Sequence, residues 1–177
     1  MTNSSSTLID AERSDILDTL AKHRYFLRFT VRDLTDEQAG LHTTVSELCL
    51  GGLIKHVTAV EQNWQTFIVE GPGPAPDFES MTDEQIAEWG KEFQMQPGDT
   101  LAGILAAYDA VAAKTDQLVR ELPDLNISHE LPKAPWFEPG VRWTARRTLM
   151  HIMTETAQHS GHADIIRESL DGAKSMG

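Results

Sequence analysis

The sequence predicts an all-α protein built as a four-helix bundle, with a short extra helix between helices two and three. Apolar residues recur at three-, four- and seven-residue spacings along four long segments, which is typical of helices that bury one face. Breaks that contain proline and glycine follow the second segment and lie on both sides of the third. No segment alternates between polar and apolar residues for long enough to require a sheet.

The first two long helices are expected at about residues 8–34 and 46–69, before a break with the sequence GPGPAP at 71–76. Between them, the run LTDEQ at 34–38 is typical of one helix ending and a new helix being capped. The inward stripe of the second helix is predicted to contain Cys49, Gly52, Leu53, His56, Val60, Asn63 and Phe67.

The short extra helix is expected at about 81–93, and the third long helix at 100–122, where Pro123 stops it. Residues 123–142 form a proline-rich loop in which Trp136 and Phe137 either cover a cavity or pack down on the bundle. The last helix is expected from 144 to about 169, with Gly172 as its stop signal. We expect one domain over 1–177, with disordered tails at 1–7 and 173–177.

The composition narrows the classes of function. Fifteen basic and 27 acidic residues give a net charge of -12, which disfavours nucleic acids and anionic membranes as partners. Cys49 is the single cysteine, so no internal disulfide can form. The polar amino terminus lacks the apolar region of a signal peptide, and no apolar run is long enough to span a membrane. We therefore expect a cytoplasmic protein.

Glu155 and His159 stand four residues apart in the last helix, and this spacing places them on one face, one turn apart. His56 falls on the apolar stripe of the second helix. A buried carboxylate and two buried imidazoles are costly without partners, and a divalent metal ion could satisfy all three. Such a set leaves coordination positions open, as in catalytic zinc sites, but it suits nickel, manganese or iron as well.

An alternative needs no metal. A histidine on an apolar face is more often a hydrogen-bonded core residue than a ligand, and short spacing motifs carry a real risk of false positives. The coincidence of the pair in the last helix with His56 on another core stripe favours the metal site.

Other polar residues near these stripes have two interpretations each. His162 could act as a base, or could hydrogen-bond a metal ligand. Asn63 could contact a cofactor or substrate, or bridge two helices. Arg167 could bind a cofactor carboxylate or hydroxyl, or pair with Asp164 or Asp171. His151 lies at the edge of its stripe, which favours exposure to solvent.

Two runs resemble a known family. The sequence SELCLGGLIKH at 46–56, followed by Glu61 and Trp64, resembles the second helix of the DinB-like superfamily, and MHIMTETAQHSGHAD at 150–164 resembles its fourth helix. Members are four-helix bundles that bind a divalent metal, commonly through three histidines. A glutamate at position 155 matches the actinobacterial branch, which includes mycothiol S-transferases and mycothiol-dependent maleylpyruvate isomerase. The resemblance implies that His56, Glu155 and His159 are the metal ligands.

The resemblance further implies a metal-dependent detoxification enzyme that transfers a low-molecular-weight thiol, mycothiol, to an electrophilic small molecule, with zinc the first expectation for the metal. Isomerases of that branch carry an additional carboxy-terminal domain, whereas this sequence ends at Gly177, so we expect the transferase. The alternatives are a metal-dependent hydrolase or isomerase, and a non-catalytic protein that binds metal or a small ligand. Trp89 of the short helix is a candidate contact for a homodimer.

Overall fold

A computed structural model describes residues 3–74 and 80–175. Within these ranges the chain forms six α-helices, one short 3₁₀ turn and two short strands. In chain order these are α1 (Asn3–Phe29), α2 (Asp36–Ala39), α3 (Leu50–Glu70), α4 (Asp83–Gly90), the 3₁₀ turn (Lys91–Phe93), α5 (Leu101–Glu121), β1 (Ser128–Glu130), β2 (Arg142–Thr144) and α6 (Ala145–Asp171).

The four long helices α1, α3, α5 and α6 form the bundle, and α4 is the extra helix between the second and third of them. Helix α6 packs against both α1 and α3, while α3 also packs against α5. The core contains the fully buried side chains of Leu20, Leu27, Leu53, Ile54, Tyr108, Leu149 and Ile152. The predicted fold class is therefore confirmed. None of the helices in the described ranges has the length and hydropathy needed to cross a membrane.

Helix α1 is shifted relative to the prediction. It begins at Asn3, so residues 3–7 of the expected tail are helical, and it ends at Phe29 rather than at position 34. After Phe29 the backbone closes tight turns, and Arg167 of α6 donates hydrogen bonds to the carbonyls of Thr30 and Arg32 at 2.8 and 2.7 Å. These two carbonyls therefore accept hydrogen bonds from Arg167 of α6. The ends of the two predicted tails, residues 1–2 and 176–177, lie outside the described residues.

Helix α3 begins at Leu50, four residues later than predicted. The hydroxyl oxygens of Thr44 and Ser46 accept hydrogen bonds from the backbone N–H groups of Ser46 and Leu48 at 3.2 and 3.3 Å. Local bonds of this kind compete with helix formation. The predicted capping signals are confirmed elsewhere: Thr35 and Gln38 form a reciprocal capping box on α2, and Gly172 ends α6 in the left-handed conformation.

A two-stranded antiparallel ladder was not predicted. Strand β1 pairs with β2 so that His129 lies opposite Trp143. Three-residue strands are too short to produce a detectable alternation of polar and apolar residues. The ladder fixes Trp143 directly before α6, next to the site described below.

An ion pair crosses the interior of the bundle. Arg24 of α1 donates a hydrogen bond to Glu61 of α3, and these residues are 6% and 0% exposed. Arg24 also donates to Asp116 of α5 at 2.7 Å, and the Thr115 hydroxyl donates to Glu61. Since buried charges are stable only when paired, this network couples α1, α3 and α5.

Candidate metal centre

His56 of α3 meets Glu155 and His159 of α6 at the seam between the two helices. One potential ligand atom from each of the three lies within 4.8 Å of the others. The imidazole rings of His56 and His159 are 4.9 Å apart at an angle of 78°, and His159 Nε2 lies 3.6 Å from Glu155 Oε2. The structure therefore brings together the three residues that the sequence singled out.

The sequence predicted that Glu155 and His159 are buried residues, but in the structure they do not occupy the centre of the buried face of α6. That face is lined by Ile152, Thr156, Ser160 and Ala163. Glu155 and His159 lie on its flank, with side chains 26% and 12% exposed. A site on this flank is only partly buried, so small molecules can approach the donor atoms from solvent.

The surroundings of the His56 imidazole favour the binding of a cation. The ring of Phe93 stacks on it with centroids 4.1 Å apart, and Nδ1 is buried without a hydrogen-bond partner among the described residues. Burial, together with nearby His159, lowers the pKa of His56 to about 4. The ring is therefore neutral near pH 7, which is the form that binds metals.

Two glycines allow the segment that contains Phe93 and Met95 to lie against α3. A Cβ atom at Gly52 would overlap the backbone of Phe93, and one at Gly51 would overlap the side chain of Met95. Both glycines are buried in the first turn of α3. The segment that follows α4 consequently lies directly on the backbone of α3, one turn before His56.

Glu155 supplies the negative charge of the site. Its contact with His159 is the main cause that lowers the pKa of this carboxyl, and His151 and His56 act in the same direction. An ionised carboxylate beside a neutral imidazole carries net negative charge. The residues present therefore suit a divalent cation in both donor type and charge.

His162 contacts His159 rather than the centre of the cluster. Its Nδ1 lies 3.4 Å from Nδ1 of His159, whose Nε2 faces Glu155. This is the position expected of a residue that orients a metal-binding histidine. The catalytic role of His162 stays a prediction.

Similarity to known proteins assigns the chain to a family. The family model described as Mycothiol-S-transferase matches residues 15–172, a range that includes every residue of the cluster. The chain belongs to the mycothiol S-transferase family. This confirms the family resemblance recognised in the sequence. A search of curated proteins gives no match to the chain.

A solved structure from Enterococcus faecalis, described as a conserved protein of a locus, is similar to this family member. The TM-score is 0.62 at 16% sequence identity, and the similarity covers 90% of this chain and 97% of that chain. At this identity the likeness supports the fold alone.

His151 is a residue whose environment the sequence did not reveal. Rather than pointing into solvent, its side chain is 23% exposed and lies beside the rings of Trp64 and Trp143. Its Nε2 is 3.6 Å from Glu155 Oε1, and burial is the main cause that lowers its pKa. The signal available in the sequence was the pair of tryptophans, but only the packing of α3 and β2 on α6 brings them to His151.

The two predicted cofactor contacts differ in their surroundings. Asn63 is exposed on α3, about two turns after His56, so its predicted place on the inward stripe of this helix is wrong. Its role stays a prediction. Arg167 is 5% exposed, and it binds Asp171 as well as the carbonyls of Thr30 and Arg32. These contacts favour the pairing with Asp171 that the sequence offered as an alternative, in which Arg167 is buried and Asp171 is exposed.

Phe137 of the proline-rich loop packs on other aromatic rings, whereas Trp136 is exposed. Phe137 packs near Trp64 and Trp143, with ring centroids 6.5 and 5.7 Å apart, while Trp136 is 59% exposed. The side chain of Trp89, the candidate dimer contact, lies outside the described part of the chain.

Proposed function

We propose that this protein is a metal-dependent transferase that conjugates mycothiol to an electrophilic small molecule. The observation that carries the proposal is the convergence of His56, Glu155 and His159 at an accessible seam, in a chain that belongs to the mycothiol S-transferase family. The Nδ1 of His56, which has no hydrogen-bond partner among the described residues, and the ionised Glu155 support the binding of a cation.

Two imidazole nitrogens and one carboxylate oxygen leave coordination positions open for a further ligand. Zinc is the metal we propose first, and nickel, manganese and iron(II) accept the same donor set. A divalent ion held there would favour the thiolate form of a bound thiol, which is the nucleophilic form.

The proposed transfer involves one bond-forming step and two side chains, His162 and Asn63. The thiolate sulfur forms a bond to an electrophilic carbon, and the leaving group departs with its bonding electron pair. The thiol proton passes to a base, for which His162 is the candidate, or His162 orients His159 through their 3.4 Å contact. Asn63, exposed on the same helix as His56, is proposed to contact polar groups of the thiol or electrophile.

The first test is the metal content of untagged protein purified without chelators, measured by elemental mass spectrometry. We expect about one divalent ion per chain, because the cluster offers three donors. A protein that remains metal-free after incubation with zinc, nickel, manganese and iron(II) would contradict the proposal.

The second test is turnover with mycothiol and a fluorogenic bimane halide. We expect a rate that saturates with mycothiol, is lost after chelation and returns with the metal, while cysteine is a poorer thiol. Turnover of an ester or amide without thiol would instead favour a hydrolase, and stoichiometric metal without turnover would favour a binding protein.

A further inference from the structure

The imidazole of His151 is held by two tryptophans that come from different parts of the chain. Its ring centroid lies 5.0 Å from that of Trp64 at 86°, and 5.0 Å from that of Trp143 at 68°. The two indoles stack on each other, with centroids 5.1 Å apart and planes 21° apart. We call this arrangement the tryptophan slot.

The slot is fixed by the elements around it. Trp64 lies on α3 two turns after His56, and Trp143 lies on β2, where it is paired with His129 of β1. The guanidinium of Arg147 covers the Trp143 ring at 4.1 Å. His151 therefore has a defined position against rigid aromatic groups, although it lies on the flank of α6.

From this slot His151 faces one oxygen of Glu155. Its Nε2 lies 3.6 Å from Oε1, while Nε2 of His159 lies 3.6 Å from Oε2. The two histidines stand one turn before and one turn after Glu155, so each oxygen of the carboxylate has its own imidazole.

We propose that His151 is a positioning residue for Glu155, engaging Oε1 so that Oε2 is directed toward His56 and His159 as a single metal ligand. This inference rests on the proposed function, because it assumes that these three residues bind the metal. A carboxylate without such a partner can rotate or present both oxygens to a cation. Mutating a residue that contacts a metal ligand without touching the metal commonly lowers metal affinity by about 10–100-fold.

The test is the zinc affinity of the full-length protein, measured by competition with a chromogenic chelator. His151→Phe keeps an aromatic ring in the slot and removes both nitrogens, and we expect it to weaken zinc binding by about 10–100-fold. His151→Gln places an amide donor near the position of Nε2, and we expect an affinity within about threefold of the wild type.

His129→Phe is the matched control. His129 is also partly buried and contacts an aromatic ring, that of Phe67 at 5.7 Å, but it lies near the end of α3, where its Nε2 is 3.2 Å from the carbonyl oxygen of Ile68. We expect its zinc affinity to equal that of the wild type. Should His151→Phe fail to fold, as judged by circular dichroism, His151→Leu removes the same nitrogens with a smaller side chain.

A second readout is the visible spectrum of the cobalt(II)-substituted protein, which responds to coordination number. We expect His151→Phe to weaken the absorption bands, as a second carboxylate oxygen enters the coordination sphere, and His151→Gln to preserve them. Wild-type affinity and spectrum in His151→Phe would overturn the inference while leaving the metal site intact. A wild-type protein that binds no metal would overturn both proposals.

Discussion

The ring of Phe93 lies almost parallel to the imidazole of His56, with planes 24° apart and centroids 4.1 Å apart. Phe93 belongs to the 3₁₀ turn after α4, so the short excursion between α3 and α5 forms one wall of the candidate metal centre. This wall excludes water from one face of the imidazole, which contributes to the burial that lowers the pKa of His56 to about 4.

Gly52→Ala should disturb this wall. The added Cβ would overlap the backbone of Phe93, so the segment must move away from α3, and overpacking of this kind costs about 1–3 kcal/mol of unfolding free energy. We also expect the pKa of His56 to rise as its ring becomes hydrated. Urea unfolding and an NMR titration of the histidines measure the two effects.

Gly161→Ala is the control for this substitution, because it also replaces a glycine inside a helix. A Cβ at Gly161 meets no described atom within 4 Å, so we expect the free energy of unfolding to rise by up to about 1 kcal/mol. Equal effects of both substitutions would contradict the close approach of Phe93 to α3.

Glu155→Ala should remove most of the bound metal while the bundle still folds. The side chain lies on the flank of α6 and is 26% exposed, so its loss leaves no large cavity, and alanine has a high helix propensity. Metal content by elemental mass spectrometry and thermal unfolding by circular dichroism check the two parts. Unchanged metal content would mean that Glu155 contacts His151 and His159 but does not bind the metal.

The metal-free protein should lose stability as the pH falls from about 6.5 to about 4. The pKa of His56 is lowered from 6.5 to about 4 in the folded state, so the unfolded chain binds more protons between these values, and protonation favours unfolding. Above pH 6.5 this histidine has no effect. Allowing for solvent screening of a half-buried side chain, we expect a loss on the order of 1–2 kcal/mol.

Urea unfolding across this pH range provides the measurement for His56. His56→Gln should reduce the pH dependence, since glutamine does not titrate, and should leave the contribution of other groups such as His151, whose pKa is also lowered by burial. A wild-type curve that matches the curve of this variant would show that protonation of His56 does not oppose folding.

Glu61→Ala should destabilise the fold by about 3–5 kcal/mol, because it leaves the buried guanidinium of Arg24 without its main partner. Glu168→Ala removes an exposed pair with Lys174, whose side chains are 53% and 50% exposed, and should cost less than about 1 kcal/mol. Replacing both Arg24 and Glu61 with apolar residues should recover part of the loss. Equal costs for the two single variants, measured by urea unfolding, would contradict a coupling role for the buried pair.

Much of the fold was predictable because its signals are local. The capping box of Thr35 and Gln38, the stop at Gly172 and the spacing of Glu155 and His159 each depend on residues within four positions of one another. Where distant residues compete for the same backbone groups, the predictions were wrong. Arg167 of α6 binds the carbonyl of Thr30, which would have accepted the hydrogen bond from the N–H of residue 34 if α1 had continued to that position.

The sequence by itself determined the four-helix architecture and the face that Glu155 shares with His159, since periodicity and motif spacing are properties of a single helix. It also determined the family, through the resemblance of the runs at 46–56 and 150–164 to known motifs. Only the tertiary structure decided that this face turns toward the seam with α3, that Phe93 covers His56 and that two tryptophans hold His151. The physical reason is that these environments arise from contacts between elements far apart in the chain. Their geometry depends on helix packing and on the close approach that Gly52 permits, and no local pattern encodes either.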